Sequence, residues 1–424
     1  MARASQRFDP SRRRFLTGAA SASALAIGAP VLLNACGSDD DDTAARNSAF
    51  PGGERVPFHG VHQSGVLQAA PAAGIVVALD SQAKDRAELD EAFRALSDET
   101  RRVMDGTAPE ERDPSFPPSD SGVLGDVSHP AALSVIVGVG ASLFDERYGL
   151  ASRKPRELEK MPFVANDRLD PARSHGDISL TVSASSADVA MYALRQLLRK
   201  TRGAFTLRWM QEGFNTVQDQ PGPGKAAVRN LLGFKDGSNN LDPASATTMD
   251  KLVWVDASRG EPAWAVNGSY QAIRIIRMFV EFWDRTRLSE QEALIGRHKA
   301  SGAPLGGDKE DEPFDFADDP HGDRIPLDAH IRLANPRTPE TEKNRILRRG
   351  FSYSRGFDGA GHLDQGLLFS SFQASLTDGF LAVQRRLAGE PLEEYILPEG
   401  GGFFYVLPGA KDDRSYLGQS LLAP

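Results

Sequence analysis

Three short stretches in the second half of the chain hold side chains with chemistry to offer. GFKDGSNN (233–240) sets one carboxylate, Asp236, between Gly233 and Gly237 and follows it with small polar residues. HIRLANPR (330–337) opens on a histidine, and ILRRGFSY (346–353) leads Arg348 and Arg349 into an aromatic run. An Asp-Gly pair commonly marks a solvated turn. Glycines on either side also let the backbone take φ > 0 or press close against another object. A histidine can ligate iron, and arginines can hold carboxylates or a developing anion. Together these features point to haem, although each residue also has a structural reading of its own.

Cysteine usage narrows the metal chemistry. Cys36 is the only cysteine in 424 residues, and it sits in the N-terminal leader. The rest of the chain has no disulfide, no iron–sulfur cluster and no cysteine zinc site. None of the eight histidines forms an HExxH or His-Cys zinc pattern. His59 and His62 stand three apart, but no acidic residue accompanies them, so they read as structural. His298 ends a helical stretch, where an imidazolium is favourable.

The first 36 residues read as an export signal. SRRRFLTG (11–18) precedes an apolar run that Gly28 and Pro30 interrupt, too short to span a membrane. Arg12 to Arg14 followed by Phe15 and Leu16 match the twin-arginine form, which carries folded proteins. LNAC, ending at Cys36, also looks like a lipoprotein cleavage box with Cys36 as the lipid-bearing residue. The chain is therefore expected in the periplasm or anchored outside the cytoplasmic membrane. Residues 37–55 are acidic and Gly/Pro-bearing, as in a flexible tether. Removing residues 1–35 takes five arginines and one aspartate, leaving 44 basic against 57 acidic residues, a net of −13. So acidic a chain is unsuited to nucleic acid or anionic membrane.

The elements that would position the three stretches follow from periodicity. Strands are predicted at 72–80, 134–144, 176–185 and 204–215, with helices at 87–104 and 186–200, the latter capped by Ser186. This β-α-β-β-α-β order predicts an α+β fold with a ferredoxin-like antiparallel sheet. The second half repeats the plan, with strands at 253–257, 270–283, 365–373 and 401–409. Its helices are placed at 288–298, capped by Ser289, and at 378–390. Residues 306–324 are too charged and proline-rich for a core and read as a surface loop. Two domains follow, 56–225 and 226–424, the second being the haem-binding one.

GFKDGSNN, HIRLANPR and ILRRGFSY, with GLLFSSFQ (366–373) and GGFFYVLPG (401–409) behind them, resemble the dye-decolourising peroxidase family. The twin-arginine leader, GSYQAIRIIRMFVEFWDRT (268–286) and GAPLG (302–306) place the chain closest to its periplasmic, EfeB-like branch. The similarity runs from residue 57 to residue 409. It implies one b-type haem in the second ferredoxin-like domain, with His330 as the axial iron ligand. Asp236 and Arg348 would be the catalytic pair on the other haem face. Gly237, Ser238, Asn239, Asn335, Pro336 and Arg337 would touch the haem, Arg337 pairing with a propionate. Glu394 would accept the hydrogen bond of His330, with Glu393 as the competing choice. Gly350 stands where some relatives have Asn, so no side chain acts there.

Asp236 would then carry a proton of hydrogen peroxide and Arg348 would favour its ionised form and the charge that develops as the O–O bond breaks. The implied activity is peroxide-driven oxidation of a reducing substrate by single electrons. The same branch also implies deferrochelatase activity, in which iron leaves haem and the protoporphyrin stays intact, beside an iron-uptake permease. A non-catalytic haem carrier is the third reading, but it has no need of an acid–arginine pair. A second copy of the chain, as a homodimer, completes the implied partners. Trp209, Trp254, Trp264 and Trp283 read mainly as core.

Overall fold

In the computed structural model, residues 55–69, 71–125, 131–215 and 228–423 are described. Residues 1–36, read above as an export leader, and residues 37–54 of the expected tether lie outside them. Ala73–Ser81 (β1) is buried at every residue but Asp80, as suits an apolar strand covered on both faces. Arg86–Met104 (α1) begins where the Asp85 carboxylate accepts the N–H groups of Ala87 and Glu88, and it buries Leu89, Phe93, Leu96 and Val103 on one stripe. Ser134–Gly140 (β2), Ile178–Ala184 (β3), Ala187–Lys200 (α2) and Phe205–Phe214 (β4) complete the first half. Its strands pair antiparallel in the order β2-β3-β1-β4, with α1 and α2 packed against them over one apolar core.

The second half contains Ala246–Leu252 (α3), Ser269–Met278 (β5), Leu288–Ile295 (α4) and His330–Ala334 (α5). Phe351–Phe357 (β6), Leu363–Gln373 (β7), Phe380–Leu387 (α6) and Ile396–Val406 (β8) follow. Its strands take the order β6-β7-β5-β8, the same permutation as the first sheet. The fold is α+β, with two antiparallel sheets of ferredoxin-like order. The sheets also join edge to edge. β8 pairs with β2 over three residues, and β4 meets β6 at Phe214 and Ser352. Eight strands thus close into one flattened antiparallel ring.

The inner faces of the two sheets meet around Val76, Trp209, Ile273, Ile275, Leu368 and Phe404. Phe351 is the knob of this interface. Gly74 and Gly213 are register partners on β1 and β4, and a Cβ built on them would lie 2.2 and 2.5 Å from Phe351 atoms. Two missing side chains therefore make the hole that one ring fills. Phe351 follows Arg348 by three residues, so this packing also fixes where the distal arginine emerges.

Several sequence expectations differ from the structure. VWVDA (253–257) is not a strand. Val253 and Trp254 wrap the end of α3 by donating to the Met249 carbonyl, and their β-branched and aromatic character serves burial instead. Residues 280–283 form a helical turn after β5 ends at Met278. Ser186 occupies an N-cap position without a side-chain cap bond, and the residue preceding α4 is Arg287, not Ser289.

Replacing Gly74 by Ala should cost about 1–3 kcal/mol of stability by overpacking, and Phe351→Ala about 3–5 kcal/mol by leaving a cavity. In urea denaturation, Gly74→Ala should cost nothing further in the Phe351→Ala background, because the new methyl enters the vacated hole. Additive losses would show that Phe351 is not what Gly74 accommodates.

Candidate functional site

One cavity of about 310 Å³ opens on the outer face of the second sheet, within the ~300–1,000 Å³ range of ligand pockets. The pleat decides which side chains reach it. Ile273, Ile275 and Leu368 point between the sheets, whereas Ile276, Met278, Leu367 and Phe369 point outward and line the cavity. Two helices, α5 and α6, border this part of the sheet. Its cover is built from α5, the 235–239 turn and Phe314 of the long 295–346 segment.

His330 opens α5, and neighbouring side chains hold that short helix at both ends. Arg332 pairs with Asp319 at 3.1 Å and donates to the Ile325 carbonyl at 2.9 Å. Arg386 of α6 caps the free carbonyls of Leu333 and Ala334, each at 2.9 Å. His330 Nδ1 lies 2.7 Å from Glu390 Oε2. Glu390 follows a turn at Gly389 with φ +82° and keeps only 4% of its side chain exposed. A carboxylate can only accept, so Nδ1 carries the proton, and among the described residues Nε2 has no hydrogen-bond partner. The imidazole is partly buried, and the 31% of it that stays accessible faces the cavity. Burial alone would lower its pKa, but the charge and hydrogen bond of Glu390 outweigh that and raise it.

The carboxylate on His330 is thus Glu390, which corrects the expectation of Glu394. Glu394 is exposed, and the competing Glu393 caps the Gly389 N–H at 3.0 Å. Pro391–Glu394 form a tight 3-10 turn, so four residues separate acids that point in different directions.

Asp236 sits at the end of a two-residue ladder in which Val228 pairs with Asp236 and Arg229 with Lys235. The ladder reverses through Asn230 to Gly233, where φ is +85°. Phe234 anchors it edge-on against Trp283 in the core. Past Asp236, Gly237 at φ +107° and Asn239 at φ +63° turn the chain back along the cavity. Arg348 Nη1 stands 3.4 Å from Asp236 Oδ1, and Nη2 donates to the Ser238 carbonyl at 3.4 Å. Both contacts are long, leaving room for a small molecule to draw them together. Asn240 holds the arginine's backbone like a strand neighbour: Oδ1 accepts from Arg348 N at 3.0 Å, and Nδ2 donates to Arg348 O at 2.9 Å. The final Asn of GFKDGSNN carried no assigned role in the sequence; its amide, able to donate and accept, was the available signal.

Asp236, Gly237, Ser238, Asn239, His330, Asn335, Arg337 and Arg348 all line this one cavity, whereas Pro336 and Glu394 do not. Gly350 lines it through its backbone alone. The Asn335 carboxamide accepts from Arg337 N at 3.2 Å, and the Arg337 guanidinium lies over the Phe314 ring at 3.8 Å. Burial and neighbouring Arg345 hold Arg337 below its usual pKa. Burial and Arg337 lower Arg297 to about 10. Among the described residues neither Arg297 nor Arg337 has a carboxylate within ion-pair distance.

These features fit a haem. The walls are largely apolar, Glu390 orients one imidazole toward the cavity, and among the described residues two arginines lack ion-pair partners that propionates would supply. His330 would hold the iron, with Arg337 and Arg297 toward the acidic edge.

The N-terminal model of the Dyp-type peroxidase family matches residues 63–215, and its C-terminal model matches residues 227–411. A deferrochelatase of Escherichia coli O6:K15:H31 is 48% identical over 422 residues, covering 98% of this chain and 97% of that one. Among solved structures, a DyP-type peroxidase from Streptomyces coelicolor has a TM-score of 0.79 at 36% identity, covering 89% of this chain and 100% of that one. Ferric DtpA from Streptomyces lividans gives the same scores and coverage.

In the haem-free protein the His330 ring should titrate above the ordinary 6.5 of histidine when followed by NMR. Glu390→Gln should bring that midpoint down, and Glu394→Gln should leave it unmoved. Because the folded value is raised, the pair's contribution to stability is complete below pH 6.5 and fades as pH climbs through the folded value. Glu390→Gln should therefore destabilise the haem-free chain more at pH 6 than at alkaline pH.

Proposed function

The chain belongs to the Dyp-type peroxidase family, and from that premise we propose how its chemistry is divided among the residues of the cavity. The protein is a haem peroxidase that uses hydrogen peroxide to oxidise donors by one-electron steps. Bound haem supplies the redox chemistry, and the chain's own residues handle protons and charge. The observation that carries this reading is one cavity shared by the Glu390–His330 pair and the Asp236–Arg348 pair.

His330 binds through Nε2, because Nδ1 is committed to Glu390. The carboxylate makes the imidazole a stronger donor and fixes its rotation. Asp236 takes a proton from one oxygen of peroxide and returns it to the other, which leaves as water. Arg348 stands 3.4 Å from that carboxylate and faces the oxygen on which negative charge grows. Asn240 holds Arg348 in place, while Asn335, Arg337 and Arg297 receive the acidic edge of the porphyrin. Of the two distal groups Arg348 matters more, since water can relay a proton but cannot replace a fixed cation.

Deferrochelatase activity is the second reading, favoured by the 48% identity to the Escherichia coli protein over nearly the whole of both chains. In that role haem is the substrate and protoporphyrin a product. Export by the twin-arginine leader would put either activity in the periplasm, beside an iron-uptake permease, with Cys36 available as a lipid anchor.

Peroxide-dependent kcat/KM should fall about 10²-fold or more in Arg348→Leu and somewhat less in Asp236→Asn. A far larger loss in Asp236→Asn would reverse the ranking, and no loss in either would remove both from the reaction. In the same preparations, fluorescence of metal-free protoporphyrin on incubation with haem separates iron release from peroxidase turnover. Replacing Arg12 and Arg13 by Lys should retain the protein in the cytoplasm on fractionation; unchanged export would refute the twin-arginine assignment.

A further inference from the structure

Asp236 is held less by its own carboxylate than by its neighbours. Among the described residues the carboxylate meets only Arg348, at 3.4 Å. A group that must meet a proton within about 0.5 Å needs firmer support than that. The support on its flanks converges on one side chain. Lys235, immediately before Asp236, places Nζ 2.5 Å from Glu310 Oε2. Ser238, two residues after it, donates its hydroxyl to Glu310 Oε1 at 2.7 Å. Glu310 thus spends one oxygen on each side of Asp236, and only 3% of its side chain is exposed. It belongs to the acidic 306–324 segment, whose composition gives no sign of an inward-facing carboxylate.

The clamp is itself built in. Arg297 Nη1 donates to the Glu310 carbonyl at 3.2 Å and to the Gly302 carbonyl at 2.6 Å. The stem of Lys235 lies against Gly302, where a Cβ would fall 2.8 Å from Lys235 Cδ. A carboxylate buried this deeply is retained at a desolvation cost that the Lys235 charge and the Ser238 hydroxyl offset.

We propose that Glu310 is a positioning residue for Asp236, aiming its carboxylate by fixing the residues on both sides of it. This rests on the reading of Asp236 as the distal proton acceptor. The two are separated by cyanide binding to the haem-loaded protein, because hydrogen cyanide must give up its proton to bind as the anion, and no turnover is needed. Asp236→Asn should slow cyanide association strongly, and Glu310→Ala by roughly tenfold, as a misaimed acceptor loses part of its effect. In the Asp236→Asn background, adding Glu310→Ala should change the rate no further. Glu310→Gln, which can accept from only one of Lys235 and Ser238, should fall between wild type and Ala. It and Ser238→Ala, which removes one arm, serve if the Ala variant does not fold.

If Asp236→Asn leaves the rate unchanged, the role of Asp236 fails and the proposal with it. If Asp236→Asn slows binding but the Glu310 and Ser238 variants stay within about twofold of wild type, or if Glu310→Ala slows both backgrounds equally, Glu310 serves stability alone and the proposal is overturned.

Discussion

The hydrogen bond between Glu390 and His330 is the interaction around which the second half is arranged. A carboxylate 4% exposed would be costly without a partner, and the imidazole supplies it at 2.7 Å. That bond commits Nδ1 and sends Nε2 into the cavity. It also explains why so much structure supports a helix as short as α5. Arg332 ties its middle to Asp319, and Arg386 donates to its last carbonyls. Neither arginine touches the cavity's contents, yet both decide where the free nitrogen lies.

The β-α-β-β-α-β order of the first half is legible in the sequence from its apolar runs and helical stripes, whereas in the second half VWVDA reads as a strand and is not one. Asp236, His330 and Arg348 stand out as types of residue, and family likeness supplies roles that spacing cannot. Glu390 was missed for a local reason. Three glutamates lie within five residues, and the 3-10 turn of residues 391–394 decides which one points inward. Periodicity has no purchase on so tight a turn. Asn240 and Glu310 escaped for another reason: they act on residues about 108 and 72 positions away, through contacts that only the folded chain creates. The acidic composition of 306–324 describes its outer face correctly and conceals Glu310 and Phe314, which turn inward.

The cavity stores electrostatic tension. Burial lowers the pKa of Arg297 and of the half-buried Arg337, with Arg337 adding to the effect at Arg297 and Arg345 adding to it at Arg337. A pocket that gathers cations on apolar walls is poorly solvated for them. An anionic, flat, apolar ligand relieves both conditions at once, since its acidic edge neutralises the arginines and its faces cover Ile276, Leu367 and Phe369. Occupancy and stability are therefore linked, and the loaded chain should be the sturdier one by mass action alone.

The closed ring of strands bears on how independent the halves are. In an open sheet the outer strands expose rows of N–H and C=O groups ready to pair with another chain. Here the outer strands of each sheet, β2 and β4 in one and β6 and β8 in the other, are at least partly paired across the seam. Each sheet is the other's protection against illicit pairing, and Phe351 locks the two faces together besides. Severing the chain between the halves would leave four strands with unshielded rims and an apolar interface open to water. The seam pairings therefore make the two sheets one compact unit, in which neither rim is complete without the other sheet.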